Sequence, residues 1–91
     1  MFVTRPSSQS VDLMQTATFT CSAAGYNVSY QWIIGSGSFP NKVTGMESNT
    51  LVIPNVRSSD DNTYRCIISN RGGMRHNTAQ LTVTGMTMTI V

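Results

Sequence analysis

A chain of 91 residues has room for one domain, and one this short buries only about 60–65% of the surface its unfolded form exposes. Charged residues make up 11% of it, and the net charge of +2 is too small to argue for nucleic acid or a membrane surface as a partner. Serine and threonine together supply 23 residues while Lys and Glu are scarce, a composition that points to an extracellular or cell-surface setting. No apolar run approaches the ~20 residues a membrane helix requires, so no direct membrane insertion is expected. Met1-Phe2-Val3 leads straight into polar Thr4-Arg5-Pro6 without an apolar leader, and the expectation is a domain cut from a larger ectodomain.

The chain reads as strands throughout. Phe2–Arg5 predicts a short first strand, interrupted by Pro6, which has no N–H for a ladder and belongs at a sheet edge. Ser10–Leu13 resumes it. Residues 17–23 then alternate, with Ala17, Phe19, Cys21 and Ala23 inward and Thr18, Thr20 and Ser22 outward, the period of a half-buried antiparallel strand. After a loop at 24–27, Val28–Ile34 is the next strand, with Tyr30, Trp32 and Ile34 on one face. A Gly-Ser turn cluster at 35–38 precedes a further short strand over Phe39–Val43. Thr50–Ile53 places Leu51 and Ile53 inward, and Asn62–Ser69 does the same for Tyr64, Cys66 and Ile68. A Gly-Gly hairpin turn at Asn70–Gly73 leads to the last strand, Asn77–Thr84. No helix is predicted. The closing residues 85–91 alternate Met86, Met88 and Ile90 with Thr87, Thr89 and Val91, which predicts a linker or the start of a following domain after one spanning 1–84.

Three features stand in a fixed relation. Cys21 and Cys66 are the only cysteines, Trp32 is the only tryptophan and lies between them, and Tyr64 sits two positions before Cys66. That pattern resembles the immunoglobulin superfamily. The resemblance covers roughly residues 3–84 and implies an all-β fold, a two-sheet antiparallel sandwich with one inter-sheet disulfide, Cys21–Cys66, and Trp32 packed on it. Such a bridge would stabilise the fold by about 4 kcal/mol on a chain-entropy account and implies an oxidising compartment. Intracellular muscle-type members of the superfamily keep similar positions reduced, so free thiols remain the alternative. Only 19 positions separate Trp32 from Leu51, too few for the two extra strands of a variable-type domain, which predicts a compact intermediate-like or constant-like arrangement. The string Arg57-x-x-Asp60-x-Asn62-x-Tyr64-x-Cys66 resembles the family's tyrosine corner. There Tyr64 bonds upstream backbone, and Asp60 pairs with a nearby basic residue, for which Arg57 is the candidate.

Catalysis finds no support in the residue inventory. His76 is the only histidine, the adjacent Asp60 and Asp61 would face opposite ways on a strand, and no nucleophile–base motif or phosphate loop occurs. No metal cluster or other cofactor is implied. A binding face is the remaining possibility. Gln31, Ile33, Arg65, Ile67 and Gln80 fall at outward positions of the predicted Trp32, Cys66 and last strands. Two isoleucines beside an arginine suit the apolar anchor of a protein partner, which the resemblance suggests is another immunoglobulin domain; plain cross-strand packing accounts for them as well. Arg71, Arg75 and His76 form a candidate basic hairpin for an acidic protein or glycan, although a solvated turn explains the same residues. Asn27-Val28-Ser29 is the one sequon, a candidate glycosylation site. The function expected is a non-catalytic protein-binding or adhesion module. The alternatives are a structural spacer of an intracellular filament-type protein and a weakly basic glycan-binding module.

Overall fold

Alternating burial defines the strands in a computed structural model that describes residues 2–85. Eight strands follow in order: β1 (Phe2–Thr4), β2 (Gln9–Asp12), β3 (Ala17–Thr20), β4 (Ser22–Ala23), β5 (Ser29–Ile34), β6 (Thr50–Ile53), β7 (Asn62–Asn70) and β8 (Gly73–Thr84). One layer of the sandwich is a four-stranded sheet of order β2-β8-β7-β5. The other is built from β1 on β4 and β3 on β6, with Thr44 exchanging both backbone bonds with Val52 of β6 at its margin. The break between β3 and β4 falls at Cys21, whose N–H turns to the Asn49 carbonyl.

The first strand is split, as expected from Pro6. β1 pairs antiparallel with β4, and after the buried Pro6 the chain crosses to run β2 parallel to β8, Gln9 opposite Leu81 and Asp12 opposite Thr84. Each half thereby satisfies an edge that would otherwise be open. The core is the inward half of every alternation: Ala17, Phe19, Leu51, Ile53, Ala79, Leu81 and Val83 are buried around Trp32, Tyr64 and the Cys21–Cys66 disulfide. Trp32 lies directly across from Cys66 in the β5–β7 register. Its indole N–H donates to the Ser48 carbonyl at 2.9 Å, so the large ring is buried without an orphaned donor. Phe19 packs between Trp32 and Tyr64, with ring centroids 6.2 and 5.3 Å away.

Three sequence expectations are revised. Phe39–Val43 forms no strand: Pro40 offers no N–H, its carbonyl closes a turn on Val43, and Gly45 follows at φ +83, so only Thr44 is extended enough to pair. Gly45 is required there, because a Cβ would collide with the Thr50 carbonyl. A 3-10 turn occupies Ser58–Asp60 in a chain expected to have no helix, because Asp60 folds back to accept the Arg57 N–H. The hairpin is also longer than expected, since β8 starts at Gly73 and pairs with β7 up to Asn70 around a two-residue turn, Arg71-Gly72. The expectation for 85–91 falls, except for Gly85, outside the described residues.

Candidate protein-binding face

Register decides which side chains share the outer surface of the four-stranded sheet. Ile33, Arg65 and Thr78 lie in one row across β5, β7 and β8, and Gln31, Ile67 and His76 lie in the next. All are neighbours of inward residues and so point away from the core. Ile33 is 39% exposed and Ile67 is half-buried, so the two isoleucines form a small diagonal apolar patch. Arg65 flanks it, with its Nε donating to the Thr78 hydroxyl at 3.3 Å. That bond leaves the guanidinium tips available, and no carboxylate lies within ion-pair distance among the described residues. Gln31 and Gln80 each turn their amide onto adjacent backbone, at the Trp32 and Leu81 carbonyls. Gln80, opposite Thr63, sits beyond the Arg65 row and within reach of Asp61.

The basic hairpin divides between two surfaces. His76 shares the outer row with Ile67, whereas Arg75 is paired with inward-facing Ile68 and points to the opposite side. Arg71 occupies the exposed turn itself. Alternation along a strand thus separates charges that are adjacent in sequence. Asn27 lies in the exposed loop before β5 with φ +52, a left-handed conformation that asparagine tolerates better than most residues.

Around the corner motif, the ionic partner of Asp60 is Lys42, not Arg57. Lys42 Nζ lies 2.7 Å from Asp60 Oδ2, which also accepts the Arg57 backbone N–H at 2.8 Å. The lysine reaches across 18 residues of sequence, a contact no local motif announces, while the Arg57 side chain is exposed. Tyr64 donates its hydroxyl to the Asp60 carbonyl at 2.6 Å. Burial first, and then the neighbouring Asp60 and Asp61 carboxylates, push its pKa up to about 12. Asn62 donates its side-chain amide to Ser36 and so ties down the 35–38 turn. Asp61 caps the far end of β8 by accepting the Val83 N–H at 3.0 Å. Three of the four carboxylates therefore hold the scaffold: Asp12 takes the Thr84 hydroxyl, Asp60 the lysine, and Asp61 the β8 backbone.

A family model described as "Immunoglobulin domain" matches residues 1–70. The chain belongs to that family. This immunoglobulin domain is 33% identical over 84 residues to Roundabout homolog 1 of Rattus norvegicus and of Homo sapiens. The matches cover 90% of the domain but 5% of each relative, so the chain spans about one-twentieth of the curated proteins it matches. Among solved structures, extracellular domains 3–5 of Drosophila OTK superpose with a TM-score of 0.81 at 25% identity, over 92% of this domain and 31% of that chain. The I-band fragment I67–I69 of titin gives 0.77 at 28% identity, over 91% and 31%. In both, the immunoglobulin domain corresponds to a part of a longer chain.

Proposed function

We propose that this immunoglobulin domain is a non-catalytic protein-binding or adhesion module of a larger cell-surface or secreted protein. Its contact face is the outer surface of β5, β7 and β8. The observation that carries the proposal is the diagonal pair of isoleucines, Ile33 and Ile67, on an open sheet face beside an arginine that has no carboxylate partner among the described residues. An apolar anchor with an adjacent Arg is the composition expected where a few residues supply most of an interface's free energy. Similarity to the extracellular fragment of OTK supports the cell-surface setting, and recovery of the domain as part of longer relatives supports its role as one unit among others. The partner fitting this face is another protein of similar surface, including another immunoglobulin domain.

The test is adhesion of beads coated with the domain to beads coated with the same domain and to cells displaying one of the relatives. Ile33→Asp/Ile67→Asp should reduce adhesion at least about tenfold, the equivalent of ~1.4 kcal/mol, while leaving the circular dichroism spectrum unchanged. Equal adhesion by a folded double variant overturns the assignment of this face. A structural spacer role is the second reading, supported by similarity to the titin fragment. It requires two titratable thiols in protein taken from its natural source, whereas the adhesion reading requires none.

A further inference from the structure

A groove of about 360 Å³ opens at the pole of the sandwich where β1 begins and the β7–β8 hairpin turns. It exists because the hairpin runs on past the disulfide. On its inward side the hairpin faces the thin β1–β4 ladder, with Phe2 paired to Ala23; Ile68 is buried at the floor, Phe2 and Val28 pack against the core beside it, and Arg75 stays exposed at the rim. The half-buried Phe2 and Val28 supply apolar walls over a floor at Ile68, and the backbone of the turn from Gly72 to Met74 closes one side. Arg5 and Arg75 line the same concavity, and Arg71 stands at the adjoining turn.

Among the described residues no acid lines this groove. The whole sequence holds four, of which Asp12, Asp60 and Asp61 are engaged elsewhere in the scaffold and Glu47 lies in an adjoining depression, on the far side of Val28 beside Tyr30 and Gln31. The Arg75 guanidinium donates to the neighbouring Met74 carbonyl, and neither Arg5 nor Arg75 has a carboxylate within 4.0 Å among the described residues. Arg5 and Arg75 thus present two exposed guanidinium forks beside hydrocarbon, a geometry that suits bidentate recognition of carboxylates.

We propose that this groove receives an extended acidic segment of a partner protein, carboxylates on Arg5 and Arg75 and an aliphatic or aromatic side chain against the half-buried Phe2 and Val28. Charge complementarity selects the sign of the occupant, and the apolar walls select its class. A sulfated glycan would meet the arginines but has no hydrocarbon side chain to fill the space between them. The surface is distinct from the outer face of β5, β7 and β8, so it adds a second contact to the module.

The experiment is a nitrogen–proton correlation titration of the 91-residue chain with a capped hexapeptide alternating glutamate and leucine. Its lysine–leucine counterpart and a heparin-derived hexasaccharide are run in parallel. Expected are saturable shifts at Phe2, Val28, Ile68 and Met74 with a Kd on the order of 0.1–1 mM, corresponding to about 4–5.5 kcal/mol. Arg5→Glu/Arg75→Glu should weaken binding at least about tenfold, and Ile33→Asp/Ile67→Asp should leave it unchanged, which separates failure here from failure of the outer face. Arg5→Gln/Arg75→Gln removes charge without adding any and must move affinity the same way if charge reversal disturbs the fold. The proposal is overturned by absence of groove shifts with the glutamate peptide, or by equal binding of the lysine peptide. It is equally overturned if the hexasaccharide displaces the peptide at lower concentration, or if raising the protein concentration alone produces the same shifts, which would make the occupant a second copy.

Discussion

Tyr64 illustrates how one polar atom is accommodated in this core. Its hydroxyl must donate somewhere, and the Asp60 carbonyl four residues back is the acceptor the 3-10 turn presents. Tyr64→Phe should therefore cost about 1–3 kcal/mol in urea unfolding, because it strands a buried carbonyl. The raised pKa also has a sign. Folding favours the protonated phenol, so between the unfolded value near 10 and the folded value of about 12 the unfolded chain sheds its proton first and stability falls as pH rises. The Phe variant should show a shallower decline across that window than the wild type, and parallel declines would contradict the assignment. Asp60 makes a second residue-scale case. Lys42→Ala leaves a carboxylate only 3% exposed without its cation and should destabilise by about 2–4 kcal/mol, whereas Arg57→Ala should stay within about 0.5 kcal/mol, since Asp60 uses only the Arg57 backbone. Thermal melts of the two variants compare them directly, and equal losses would restore Arg57 as the partner.

At the scale of the element, the β7–β8 hairpin shows what period 2 can and cannot announce. Its inward residues Tyr64, Cys66, Ile68, Ala79, Leu81 and Val83 are all buried and all visible in the alternation of the sequence. The same alternation carries Arg75 and His76 to opposite sides, so a basic run in sequence is not a basic patch in space. The segment between β5 and β6 is the counter-example. Pro40 and Gly45 bracket a stretch with strand-like composition and reduce it to a single bridge at Thr44, while the Met46 carbonyl takes the Trp32 N–H from the other layer. Gly45→Ala should lower stability by about 1–3 kcal/mol, since it adds both a left-handed-backbone penalty and a clash with the Thr50 carbonyl. A chemical-denaturation midpoint unchanged within error would show that the loop has room to shift.

For the molecule as a whole, the Cys21–Cys66 bridge joins the two layers across 45 residues. Closing a loop that long removes unfolded-state freedom worth about 4 kcal/mol, a large share of the stability a small domain commands. Urea titrations with and without a reductant should differ by roughly that amount. A difference under about 1 kcal/mol would mean that the aromatic cluster of Phe19, Trp32 and Tyr64 holds the layers together by itself. The charge distribution also belongs to this scale: three of the four acids are engaged within the scaffold, and among the described residues none pairs with the arginines at the β1 pole.

The strands, the inward set and the cysteine–tryptophan–tyrosine relation were legible from residue order, because alternation and short spacing are local properties that the backbone converts directly into faces. So were the outward positions of Ile33, Arg65 and Ile67. The pairing of Lys42 with Asp60 was not, and neither was the groove formed by Phe2, Arg5, Val28, Ile68 and Arg75. Each brings together segments distant in sequence, and nothing in a residue's neighbours along the chain encodes who arrives across the sandwich. Which cation met which carboxylate, and which segments came to line the groove, was decided only when the sheets packed.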